Sequence, residues 1–247
     1  MDALVFASHV PTVKGMKIIE EIFDVYRQHF ADCDIYIGIN GNTCPEYIEY
    51  LERLKSELNI KYAITPEELE VKSDASAFQT ALKLMKDSGF KYNLIWFGHT
   101  KGMVNGTHSW RHIFIKEFFS DRVHITKLLN NSDAGTYSLY LSKHKGCEYF
   151  TNVLENYFKF DRKNFFSYLY LFTFYVIKGE YVYNFLHKCD ESFYTTKIED
   201  IYLFERDFPQ IAWRQGGYPL YKYWDTHLVS LGGHPETHYK LDLENYL

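Results

Sequence analysis

Tyr92-Asn-Leu-Ile-Trp-Phe-Gly-His-Thr-Lys-Gly102 sets two chemistries side by side. Leu94 to Phe97 is an uncharged run of branched and aromatic side chains, the composition of a buried strand. Gly98-His99-Thr100-Lys101-Gly102 turns polar at once, so the reactive groups fall at the strand's carboxyl end. In open α/β sheets ligands bind at that edge, because rigid strands hold the exposed loops there. Just upstream, Ser73 to Lys86 has a helical pattern with Phe78, Leu82 and Met85 as its stripe. Ser73 or Asp74 is placed to cap it and Gly89 to end it.

The same order of strand, polar loop and helix repeats toward the N-terminus. Ala3 to Ala7 reads as a strand ended by Ser8-His9-Val10-Pro11-Thr12, and Ile19, Phe23, Tyr26 and Phe30 stripe a helix from about Lys14. Asp34 to Ile39 is a second strand ending in Asn40-Gly41-Asn42. Pro45 then opens a helix striped by Tyr47, Ile48, Leu51, Leu54 and Leu58. Lys61 to Ile64 makes a short third strand. This alternation predicts an α/β fold with a mostly parallel central sheet flanked by helices. Right-handed crossovers then gather the loops at Ser8–Thr12, Asn40–Asn42 and Gly98–Lys101 along one edge.

Beyond residue 105 the rhythm changes. Trp110, Ile113 and Phe114 suggest a helix, Arg122 to Leu129 another, Tyr137 to Leu141 a strand, and the aromatic run Asn164 to Ile177 a buried strand or strand pair. Gly179 breaks that run, and Tyr181, Phe185 and Leu186 suggest a short helix after it. With no internal repeat or low-complexity linker, residues 1–247 read as a single domain. In it, 1–105 form a binding half and 106–247 complete the site.

Composition excludes several classes. A 46% hydrophobic content over 247 residues is ample for a full core, and a net charge of -5 argues against general nucleic-acid binding. Cys33, Cys44, Cys147 and Cys189 lack paired metal-type spacing and fit a reducing compartment. No basic flank precedes the first apolar run and no stretch approaches the ~20 apolar residues of a spanning helix, so the expectation is a cytoplasmic protein without a transmembrane segment.

With these pieces placed, the chain resembles small nucleotide-sugar glycosyltransferases of the GT-A fold. The resemblance rests on His99-Thr100-Lys101-Gly102 after the fourth strand, followed by Trp110-Arg111, and extends through the aromatic strand before Gly179 to the acidic stretch at Glu205. It implies a nucleotide-diphosphate sugar as donor and a hydroxyl of a glycan or glycoconjugate as acceptor. In that fold the loop normally carries Asp-x-Asp, which touches the donor ribose and holds a divalent metal on the diphosphate. Here His99 takes the place of the first carboxylate and Lys101 that of the second. A fixed Lys101 ammonium in place of a metal implies transfer without a cofactor. The same likeness gives Ser8, His9 and Pro11 to the loop against the base, Asn40 to base recognition and Arg111 to the diphosphate. Asp74 either bonds a ribose hydroxyl or simply caps its helix.

An inverting transferase needs a carboxylate to take the acceptor proton. Glu205 is the choice, with Asp207, Glu199 and Asp200 as rivals. A Mn or Mg ion held with help from His234 and His238, one helical turn apart, is the alternative to the metal-free route, although no third ligand is evident. Tyr218, Tyr221, Tyr223 and Trp224 offer either an acceptor wall or core packing. Two other readings stay open: a binding protein that keeps the fold without chemistry, and a phosphate-ester hydrolase or nucleotidyltransferase using His99 with a metal.

Overall fold

The structure is a computed structural model and describes residues 1–66, 74–100, 114–143, 168–170, 173–189, 191–195, 204, 208–213, 215–225 and 239–240. The first half follows the predicted alternation. Strands β1 (Ala3–Ser8), β2 (Asp34–Ile39), β3 (Asn59–Ile64) and β4 (Leu94–His99) are joined by helices α1 (Met16–His29), α2 (Pro45–Leu54) and α3 (Ala75–Asp87). A 3-10 turn, Val13–Gly15, precedes α1, so the regular helix begins at Met16 rather than at about Lys14. Pro45 sits in the first turn of α2, where its missing N–H costs no bond. Gly89, at φ 72, ends α3 in the left-handed conformation that glycine tolerates.

The second half adds β5 (Ala134–Lys143), β6 (Tyr168–Tyr170), β7 (Tyr175–Lys178), β8 (Tyr218–Asp225) and β9 (Tyr239–Lys240). The sheet order is β3-β2-β1-β4-β7-β5-β8-β9, with β6 paired to β5. Pairing is parallel among β1 to β4 and between β5 and β8, while β7, β6 and β9 run against their neighbours. The sheet is therefore mostly parallel, and its reversed strands belong to the half where the sequence rhythm changed.

Each face of the sheet carries its own core, as strand alternation requires. Leu4, Phe6, Ile35, Ile37, Leu94 and Trp96 pack on α1 and α2, whereas Val5, Ala7, Ile95 and Phe97 pack on α3. The first core is dominated by edge-to-face rings, with Phe6, Phe23, Tyr26, Phe30, Trp96 and Phe119 in successive contact. Steps from β1 through α1 and α2 go outward to β3. The α3 crossover then returns over the opposite face to set β4 beside β1. This reversal makes β1 and β4 the switch point of the parallel half.

Two glycines fix close approaches. A Cβ on Gly38 would lie 1.8 Å from the carbonyl oxygen of Ala77, so α3 rests directly on β2. One on Gly179 would lie 1.9 Å from the Tyr92 oxygen. Gly179 thus opens the helix Gly179–Lys188 where it presses on the start of β4. No helix among the described residues is long and apolar enough to cross a membrane.

Candidate functional site

The two edges of the parallel half differ in how their buried polar groups are satisfied. At the amino edge every link is closed. Lys61 Nζ donates to the Tyr36 hydroxyl at 3.4 Å, Tyr36 donates to Tyr92 at 2.6 Å, and Tyr92 and Asn59 each donate to one oxygen of Asp34. Nearby, Arg122 donates to Asp32, to Asp2 at 3.1 Å and to the His29 carbonyl at 2.5 Å, and its guanidinium lies over the Phe30 ring. This edge locks the fold.

The carboxyl edge is built from the ends of β1, β2 and β4 and the first turn of α3. His99, the last residue of β4, is 5% exposed, and its Nδ1 lies 2.5 Å from Oδ2 of Asp74. An ionised carboxylate only accepts, so Nδ1 carries the hydrogen and donates it. Nε2 is buried without a hydrogen-bond partner among the described residues, and the ring packs on Phe174 with centroids 5.2 Å apart. His9 supplies a second such atom, a buried Nδ1 without a partner. Thr100 ties the two loops together: its Oγ1 accepts from His9 N at 3.0 Å, and its own N–H donates to the Ala7 carbonyl at 3.1 Å. Asn40 joins through Oδ1, which accepts from Ser76 in the first turn of α3 at 3.3 Å. Two bonds therefore pin the start of α3 to the strand ends.

Several expectations can now be located. His9, Asn40, Asp74, His99 and Thr100 come together at this edge. Asp74 stands at the N-cap position of α3 but in helical backbone, and its side chain makes no cap bond. The carboxylate goes to His99 instead. Ser8 is wholly buried, and its hydroxyl donates to the Gly38 carbonyl at 3.2 Å. On the alternation of β1 it faces α2 with Phe6, away from Asp74. Burial pushes the neighbouring Tyr47 phenol well above its ordinary value. Pro11 is exposed in the loop.

Lys101, Arg111, Glu205 and Asp207 lie outside the described residues, as do Trp110, Glu199, Asp200, His234 and His238. The described residues on either side of the Glu205 stretch are Phe204 and Phe208. Phe204 stacks on Phe78 of α3 at 5.1 Å, Phe208 packs on Phe97 of β4 at 5.4 Å, and the Phe204 carbonyl accepts from the Tyr175 hydroxyl at 2.8 Å. Both phenylalanines thus sit on the α3 face, the face that carries Asp74. Tyr221 is buried in the same core, as core packing requires.

A cavity of about 460 Å³ lies elsewhere, at the amino end of β4, lined by Lys91, Asn93, Asn130, Lys178, Glu180 and Asn184 among others. We place the candidate site by its chemistry rather than by that volume, because Lys178 there donates to the Ser132 carbonyl and Tyr183 accepts from Tyr92 N, both structural bonds. Among the described residues no three His, Cys, Asp or Glu side chains converge as a metal site. The fold and its edge define an α/β protein with a Rossmann-like parallel half and a candidate ligand site at the β1/β4 switch point. No protein-family model matches the chain, and no curated protein matches it either.

Sequence reasoning missed the Asp74–His99 bond and the Asn40–Ser76 bond. The signal was present only as a polar residue at the start of the helix that precedes the His99 strand. Nothing local pairs residues so far apart.

Proposed function

We propose that this protein is a glycosyltransferase of the GT-A type, moving a sugar from a nucleotide-diphosphate sugar to a hydroxyl of a glycan or glycoconjugate. The observation that carries this reading is a convergence on one face of the sheet. The Asp74–His99 pair at the switch point and the phenylalanines flanking the Glu205 stretch come from opposite halves of the chain and share the α3 side. The start of α3 also brings the positive end of its dipole to that edge, which suits a diphosphate. In this mechanism Glu205 takes the proton of the acceptor hydroxyl as its oxygen attacks the anomeric carbon. The bond from that carbon to the diphosphate breaks, and the Lys101 ammonium stabilises the leaving group.

The test is a thermal-shift panel of UDP, GDP, CMP and dTDP sugars, each with manganese and with chelator. We expect selective stabilisation that survives chelation, and a loss of about a hundredfold or more in turnover for Glu205→Gln. Stabilisation only with manganese replaces the Lys101 assignment by a metal. Binding of a donor with neither transfer nor donor hydrolysis points instead to a non-catalytic binding protein.

A further inference from the structure

We propose that β3 is a docking edge for a second copy of this chain, the two β3 strands pairing antiparallel about a two-fold axis through Tyr62 so that the sheets join. β3 ends the sheet order and pairs only with β2 among the described residues. The Thr65 N–H donates to the Ile39 carbonyl at 2.7 Å, which fixes the parity of the ladder. Lys61 and Ala63 therefore turn their peptide groups to β2, and Ile60, Tyr62 and Ile64 turn theirs outward. The Ile60 N–H is already given to the Leu58 carbonyl at 2.9 Å. Those of Tyr62 and Ile64 have no backbone acceptor among the described residues.

Sheet edges are normally guarded by a proline, a bulge, a projecting charge or a very short strand. β3 has none of these. Its 6 residues pair with β2 in unbroken register and include no proline. Its one charged side chain, Lys61, folds back to the Tyr36 hydroxyl and over the Tyr36 and Phe90 rings. At the other end of the sheet, β9 spans 2 residues. Exposed apolar groups flank the unguarded strand on both faces: Ile64 is 53% exposed on the α2 side, and Phe90 is 57% exposed beside Lys61 on the α3 side.

The strand is complementary to itself, which selects a second copy over an unrelated strand. An axis through Tyr62 sets the Tyr62 N–H of each copy on the Tyr62 carbonyl of the other, and the Ile64 N–H on the Ile60 carbonyl. Both unpaired donors of each strand thus meet an acceptor, and Ile64 covers Ile60 of the second copy. Lys61 falls opposite Ala63, so no like charges face each other between the strands. On the α2 face Tyr62 donates to Glu52, whose carboxylate also accepts from Lys55 at 2.6 Å. An ion pair beside a two-fold axis is offered its own opposite, whereas a lone charge would meet itself. The antiparallel arrangement turns the carboxyl edges of the two copies to opposite sides, with β2 and β1 between the interface and β4.

The experiment is sedimentation velocity together with backbone amide exchange on the wild-type chain from about 1 μM to about 1 mM. We expect a reversible dimer, with the Tyr62 and Ile64 amides slowed about tenfold or more at high concentration. The Lys61 and Ala63 amides, bonded to β2, should be protected throughout. Ile64→Lys places a charge on the edge and Ile64→Pro removes an outward N–H. Each should leave a monomer that keeps the Lys61 and Ala63 protection; if a variant loses it, the wild-type amide pattern decides. Val123→Lys alters an 82% exposed side chain elsewhere and should leave the dimer intact. A monomer at every concentration overturns the proposal. So does a dimer that persists in either Ile64 variant, is lost equally in Val123→Lys, or leaves the Tyr62 and Ile64 amides fast. Protection of those two amides in a monomer means that another segment of the chain covers the edge, and overturns it as well.

Discussion

At the scale of residues, the informative unit is a pair. Asp74 alone is an ordinary helix-start acid and His99 alone an ordinary strand-end imidazole, but their 2.5 Å contact fixes the orientation of the ring. The pair has a measurable signature in stability. Asp74→Ala leaves the buried Nδ1–H without its acceptor and should destabilise by about 1–3 kcal/mol. The double variant Asp74→Ala, His99→Phe should cost less than the sum of the single changes, with a coupling of about 1–2 kcal/mol in urea-denaturation cycles. Additive losses would mean that Asp74 acts as a helix cap after all. The polar groups were legible from their positions at a strand end and a helix start, but the pairing was not, because it depends on where a crossover sets α3 down.

At the scale of elements, α3 is the part that makes the site. It spans the switch point, gives Asp74 to β4 and Ser76 to β2, and carries Phe78 beneath Phe204. Its seat depends on Gly38, since any Cβ there collides with backbone rather than with a side chain that could turn away. Gly38→Ala should therefore cost about 2–3 kcal/mol and weaken donor binding, because the first turn of α3 must lift from the strand ends. Gly89→Ala is the control. It meets no atom within 4 Å and pays only for a left-handed residue, so a loss of about 1–2 kcal/mol with unchanged donor affinity is expected. Matching urea midpoints with unequal titration curves would separate the two effects. Glycine in a strand is visible in sequence, but which helix presses on it is not.

At the scale of the whole molecule, the site edge lies opposite an edge that is cross-linked by hydrogen bonds. Arg122 joins the helix Arg122–Asn130 to Asp2 at the start of β1 and to Asp32 before β2, which ties the C-terminal half to the first two strands. Arg122→Ala strands the nearly buried Asp2 carboxylate and should cost about 2–3 kcal/mol. Part of that contribution depends on pH. The hydrogen bond from Arg122 holds the Asp32 carboxyl below its ordinary value. A lowered folded-state value adds stability that is complete above the unfolded aspartate value of about 3.9 and fades as pH falls through the folded value. Because Asp32 is largely exposed, the effect is small. Urea midpoints followed from neutral pH down to about 2.5 should fall less steeply in Arg122→Ala than in the wild type across that acid range.

The alternation of apolar strands and striped helices determined by itself that this chain forms an α/β sheet with polar loops at the carboxyl ends of β1, β2 and β4, because periodicity and turn chemistry are local properties of the chain. Gly98-His99-Thr100 announced the edge for the same reason. Tertiary structure alone decided that Asp74 reaches His99, that Ser8 turns to the other face, and that Phe204 and Phe208 join the α3 side. Those outcomes follow from strand order, crossover direction and the parity of each strand, which are fixed only when distant segments pack together.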